Sequence, residues 1–170
     1  ALLHVRHSPG LTDFSRLPWY GWWGAGQYGA ENIYGACAEV AYWRHRFILD
    51  SAGLLDEVLL TDHSFFQAKI RGRSIDLMVE PWVQARAAWT HGSDYSANHA
   101  VAAAAQERGV QWLRYESVRA PGERCAVVFD PDGLSEPAGS LERTMQPWIC
   151  KASRTSVMFM GGGKSFVWGF

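Results

Sequence analysis

The stretch GAENIYGACAEVAYWRHRF, residues 29–47, decides the reading of this chain. From Ile33 to Leu49 the apolar residues Ala36, Val40, Trp43 and Phe47 repeat at intervals of four, three and four, the spacing of one helix face. One carboxylate, Glu39, interrupts the most hydrophobic turn. At about 100° per residue it lies roughly 60° from the centre of that stripe, so the spacing predicts a half-buried acid at its margin. Two readings stay open at this point. Glu39 pairs with Arg44 or Arg46 at the helix edge, or it faces a hollow left by Gly35, Ala36 and Ala38. In a hollow, partial desolvation would strengthen its interaction with any cationic centre placed there.

Outward from this helix, the chain reads as α+β, mostly strands with two principal helices. SFFQAKI (64–70) and RSIDLMV (73–79) are short β-branched and aromatic runs that read as strands. DYSANHAVAAAAQERGV (94–110) reads as the second helix, with Asp94 as cap and Gly109 where a C′ glycine ends a helix. VQWLRY (110–115) and CAVVFD (125–130) read as strands, with the turn-forming APGE (120–123) shortly before the second. Two further apolar runs, SVMFM and SFVWGF, flank the glycines 161–163. Residues 1–28 lack a clean period and read as loop with short extended pieces. No repeat or low-complexity linker divides the chain, and 170 residues with 48% hydrophobic content suit one domain over 1–170.

Composition narrows the function. Sixteen basic against seventeen acidic residues leave a net charge of −1, which offers no electrostatic footprint for nucleic acid or an anionic membrane. Three cysteines without a CxxC pair suit a reducing compartment, so the expected location is cytoplasmic. No stretch approaches a membrane span, and ALLHVRHSPG lacks a charged n-region followed by an apolar run. An Ala1 start is what a trimmed chain would show. Six histidines without HExxH or close ligand spacing make a metal site unexpected. GGGKS (161–165) has Met158 where a phosphate-binding loop needs glycine, and Ser117 lacks a GxSxG elbow. DPDG (130–133) reads as a turn rather than a calcium loop.

What remains is a constellation: Arg6 and Arg16 in the opening segment, Tyr28 before the helix, Glu39 within it, and RYESVR at 114–119. Such a set suits a dinucleotide cleaved at its nicotinamide–ribosyl bond. Guanidinium groups match pyrophosphate oxygens bidentately, and a tyrosine ring stacks on nicotinamide. A carboxylate stabilises the positive charge that develops as the C–N bond breaks, as in glycoside cleavage. Blander readings stand beside this one. Tyr28 also fits aromatic packing, Ser117 a turn residue, Arg114 and Arg119 solvent-facing strand charges, and Arg16 a cation–π partner of Trp19.

Three blocks resemble the RES-domain toxins of bacterial toxin–antitoxin modules. QYGAENIYGACAEVAYWRHRFILDS (27–51) looks like the family's tyrosine, small-residue turn and A-x-x-E helix. VQWLRYESVRAPGERCAVVFDPDGL (110–134) is similar to its strand, serine turn and strand. VRHSPGLTDFSRL (5–17) places Arg6 about where the first arginine stands, although His7 follows it where relatives often carry an aromatic residue; Arg16 is the reserve. The resemblance implies an ADP-ribosyltransferase-like strand core and an enzyme that consumes NAD as substrate, with no metal. It implies Arg6, Tyr28 and Glu39 as catalytic residues, with Arg16, Ser117 and Arg119 binding the dinucleotide. It further implies ADP-ribose transfer to a protein side chain, to water or to phosphate, and a cognate antitoxin that blocks the pocket. A second class is a non-catalytic nucleotide- or carbohydrate-binding module, for which nine tryptophans would supply stacking platforms.

Overall fold

The structure is a computed structural model that describes residues 2–6, as a paired strand, together with 27–135, 140 and 142–170. Its centre is a nine-stranded sheet. In chain order the strands are β1 (Leu2–Arg6), β2 (Gln27–Ala30), β3 (Leu59–Gln67), β4 (Lys69–Ile70), β5 (Ser74–Asp76), β6 (Trp112–Glu116), β7 (Arg124–Val128), β8 (Leu134–Ser135), β9 (Gln146–Ala152), β10 (Ser156–Gly161) and β11 (Lys164–Gly169). The large sheet runs β11-β10-β9-β3-β1-β2-β7-β6-β5, while β4 and β8 form a separate pair. All its pairings are antiparallel except β5 with β6.

Register places His63 and Phe65 of β3 beside Trp148 and Gln146 of β9, and Cys150 beside Phe159 of β10. His63, Phe65, Trp148, Cys150, Ala152, Val157 and Phe159 are all buried, as alternation on one sheet face requires. Phe65 meets Trp148 and Phe159 edge-on, with ring centroids 6.1 and 6.0 Å apart. Strand β7 is buried on both faces through Cys125, Ala126, Val127 and Val128. The glycines at 161–163 are a hairpin. Gly162 and Gly163 take φ of 55° and 72°, the two left-handed positions of a type I′ turn.

Helix α1 spans Ile33–Leu49, the bounds the periodicity predicts. Asn32 caps it, its side chain accepting from the Gly35 N–H at 2.8 Å. The buried face differs from the predicted one. Cys37, Ala41, Arg44 and Ile48 form the inward stripe, whereas Val40 and Trp43 are half-buried and Phe47 is 47% exposed. Small residues explain the rotation: Gly35, Ala36, Ala38 and Ala41 let the helix backbone approach its neighbours, so close packing selects side chains by size. Helix α2 is a short piece, Arg86–Trp89, and α3 spans Ser96–Glu107. The N-cap of α3 is Tyr95, whose side chain makes no cap bond, and not Asp94 as the sequence reading has it; Asp94, one residue earlier, accepts from the Ser96 N–H at 2.9 Å, and Gly109 follows the helix end at φ 69°.

The strand readings need two adjustments. SFFQAKI divides: β3 begins earlier, at Leu59, and Lys69–Ile70 belongs to the small β4–β8 pair. RSIDLMV contributes only Ser74–Asp76 as strand. Within the opening segment, β1 and β2 are extended and pair at Leu2↔Ala30 and Leu3↔Gly29. The architecture is α+β, with α1 and α3 as its principal helices.

Candidate active site

Glu39 lies about half a turn round α1 from the centre of the Cys37/Ala41/Arg44/Ile48 stripe. It is enclosed there by a distant piece of chain, the turn joining β6 to β7. Ser117, at the start of this turn, is 1% exposed and donates its hydroxyl proton to Glu39 Oε1 at 2.6 Å. The same Oγ accepts the backbone N–H groups of Arg119 at 3.1 Å and Ala120 at 2.9 Å. With two donors on its lone pairs, the hydroxyl has one proton to give, and Glu39 receives it. The pairing with Arg44 or Arg46 is not what forms. Arg44 is buried near Thr61, and Arg46 pairs with Asp50 at 3.2 Å.

The turn is built to hold that geometry. Ser117 N–H donates to the Glu123 carbonyl at 2.9 Å, and Glu123 N–H donates to that of Ala120 at 2.9 Å. Gly122 supplies the left-handed φ of 88° that closes the loop. On the other side of the strand end, Glu116 accepts from Gly122 N–H at 2.8 Å and from both prongs of Arg86 at 2.5 and 2.7 Å. The Arg86 bonds, ahead of the Gly122 N–H, hold the Glu116 carboxyl below its ordinary value. Asn32, the cap of α1, also bonds Glu123, so the helix start and the turn are tied together.

Burial pushes the Glu39 carboxyl above its ordinary pKa, while the Ser117 hydroxyl, the Arg119 charge and the Arg119 backbone N–H act against that rise. Tyr115, two residues before Ser117 on β6, is a buried phenol. Burial raises it well above its ordinary value, and Cys125, Glu39 and Tyr28 push it the same way. Tyr115 is thus coupled electrostatically to Glu39 and to Tyr28. Tyr28, on β2 opposite Val127, is half-buried and packs against the core. Cys125 is also raised by burial first and by Glu39 second, so its thiol stays protonated.

Of the residues read from sequence, the structure brings Glu39 and Ser117 into direct contact, while Tyr28, on β2 opposite Val127, is separated by β7 from Tyr115, which lies on β6 opposite Cys125. Arg119 is not a solvent-facing strand charge. Its guanidinium carbon lies 3.4 Å from the Tyr42 ring centroid, and Nη2 donates to the Gly92 carbonyl at 3.0 Å and the Tyr95 hydroxyl at 3.1 Å. Arg114 forms ion pairs with Asp76 at 3.0 Å and Glu31 at 3.5 Å, away from Glu39. Arg6 is the last residue of β1, paired with His63 and on the strand next to that of Tyr28. Arg16 lies outside the described residues. Among the described residues no cluster of three or more His, Cys, Asp or Glu is placed to hold a metal. No described helix is long and apolar enough to cross a membrane.

Sequence reading missed Tyr115, Tyr42 and Tyr95. Tyr42 carries a signal, since it follows Glu39 by three residues and so shares its flank of α1. Tyr115 carries one too, being two residues before Ser117 in the same strand block. Tyr95 falls at the start of the block read as the second helix but caps it from outside, and Gly92 stands in the loop before it, where nothing marks either residue as a partner of Arg119.

A half-buried carboxylate, held by a buried hydroxyl and electrostatically coupled to the Tyr115 phenol, can stabilise a developing cation. The model of the RES domain matches residues 27–148, well over half the chain, and the protein belongs to the RES-domain family. That family comprises NAD-acting, toxin-like domains. No curated protein matches the chain.

Proposed function

We propose that this protein cleaves the nicotinamide–ribose bond of NAD and transfers the ADP-ribosyl group to a protein side chain, as the toxin of a toxin–antitoxin module. The observation that carries this reading is the enclosed Glu39 carboxylate on its Ser117 hydrogen bond. As the C–N bond of NAD breaks, the bonding pair leaves with nicotinamide and positive charge develops on the ribosyl carbon. Glu39, in its ionised form, opposes that charge across a medium of lower dielectric than water, where the interaction is strong. Ser117 fixes the carboxylate's orientation. Tyr28 orients the nicotinamide ribose, and Arg6, with Arg16, grips the pyrophosphate. The acceptor nucleophile then bonds the ribosyl carbon and releases its proton. No step needs a metal.

The fate of ADP-ribose is tested with NAD labelled in its adenylate portion. Transfer to protein appears as label and a mass gain on one lysate component; hydrolysis or phosphorolysis leaves only small-molecule products and replaces the acceptor in this reading. A cytoplasmic location and a cognate antitoxin that closes the pocket complete the proposal. Co-expression with the neighbouring open reading frame should relieve toxicity. Absence of any NAD turnover would favour the tryptophan-rich binding module instead.

A further inference from the structure

The Ser117–Glu39 contact depends on the conformation of residues 117–120, because the backbone N–H groups of Arg119 and Ala120 occupy the serine oxygen and leave its proton for the carboxylate. What holds residue 119 therefore governs that contact. The Arg119 side chain leaves the turn and is engaged from two other elements. Tyr42 of α1 offers its ring face at 3.4 Å, and the 92–95 loop offers the Gly92 carbonyl and the Tyr95 hydroxyl. Tyr95 in turn donates to the same Gly92 carbonyl at 2.8 Å. A planar, permanently charged fork suits this combination of ring face and two acceptors. Helix α1 thus supplies the carboxylate at 39 and, one turn later, the ring that anchors the residue two after Ser117.

We propose that Arg119, clamped by Tyr42 and Tyr95, is a positioning residue that fixes the 117–120 turn so that Ser117 keeps its proton on Glu39, and that it does not grip the dinucleotide itself. The proposal deepens the NAD-cleaving reading and rests on it for the catalytic consequence only. Arg119 also places its positive charge toward Glu39. Among the described residues, the other groups coupled to that carboxyl are the Ser117 hydroxyl in the same turn, the Tyr115 phenol on β6 and the Cys125 thiol on β7. All three are neutral near pH 7, so loss of the clamp removes cationic support and loosens the hydroxyl donor together. Both changes disfavour the ionised carboxylate.

The test is a carbon-13 NMR titration of the Glu39 carboxyl, run beside NAD kinetics, on the parent, Tyr42→Leu, Tyr42→Phe, Tyr95→Phe and Arg119→Lys. Tyr42→Leu and Arg119→Lys should raise the Glu39 midpoint by about half a pH unit or more. They should also lower kcat by about tenfold while KM for NAD changes less than about threefold. Tyr95→Phe should show a smaller shift in the same direction, and so should Tyr42→Phe, which keeps the ring but removes the hydroxyl bonded to Tyr95. A tenfold rise in KM with kcat and midpoint unchanged would make Arg119 a substrate ligand and overturn the proposal. An unmoved midpoint in Tyr42→Leu and Arg119→Lys would overturn it as well. Folding of each variant is read from the same spectra, and the midpoint decides the clamp even if the parent releases no nicotinamide, which would instead defeat the NAD-cleaving reading.

Discussion

Ser117 donates a 2.6 Å hydrogen bond to Glu39 across 78 positions of sequence, joining the turn after β6 to the middle of α1. The bond ties the acid to a turn that is itself fixed by its own backbone, by Glu116 and by Arg119. Glu39 is consequently preorganised: the cost of orienting and partly desolvating it is met during folding, before any ligand arrives.

That cost gives the first prediction. Burial raises the Glu39 pKa in the folded chain. A group raised on folding favours the fold in its protonated form, a contribution complete below the unfolded pKa and lost as pH rises through the folded one. At neutral pH the ionised side chain is therefore a strain on stability. Glu39→Gln, of the same shape and uncharged, should raise Tm by about 2 °C at pH 7.5 and converge with the parent near pH 4, as read by calorimetry.

The same shift governs activity against pH. Turnover by an ionised Glu39 should fail as the carboxylate takes up its proton, and burial moves that event upward. The acidic limb of kcat for nicotinamide release should therefore lie above pH 4.5, the ordinary value for a glutamate. A limb at or below that value would place the essential carboxylate in water.

Ser117→Ala removes one donor to Glu39 and the acceptor of two backbone N–H groups in a site that is 1% exposed. Stability should fall by about 1–3 kcal/mol in urea denaturation, the usual cost of stranding buried polar groups. The value of kcat should fall by roughly 10- to 100-fold through disorientation of the carboxylate. A variant as stable and as active as the parent would make Ser117 an ordinary turn residue.

A fourth prediction concerns the sheet. A Cβ at Gly161 would sit 2.5 Å from the Trp148 ring and 2.8 Å from the Pro147 carbonyl, while Trp148 is stacked on Phe166 with centroids 5.6 Å apart. Gly161→Ala should cost about 1–3 kcal/mol, the range for overpacking a filled core. Gly53→Ala, where an added Cβ meets nothing within 4 Å, is the matched control.

How far these features are legible in the sequence differs by kind. The bounds of α1 follow from the apolar spacing between Ile33 and Leu49, while its Asn32 cap goes unread; for α3 Gly109 marks the C-terminal end, and Asp94 falls one residue short of the Tyr95 N-cap. The face of α1 does not follow. Trp43 and Phe47 dominate any hydrophobic pattern, yet the residues that fit closest to the neighbouring elements are Gly35, Cys37 and Ala41, and Arg44 and His45 go inside with them. Strand β3 starts early because Thr61 and His63 turn inward beside Cys150 and Trp148, where polar residues hide the alternation. The partner of Glu39 is beyond periodicity altogether. Only the family blocks set Ser117 beside it, and nothing local marks Gly92 or Tyr95 as the anchors of Arg119.

Nicotinamide release from NAD, followed by liquid chromatography with purified parent and Glu39→Gln, tests the central claim most directly. The account predicts steady release by the parent and a loss of about a thousandfold or more in a variant that melts no lower than the parent. Equal release by both proteins would contradict it.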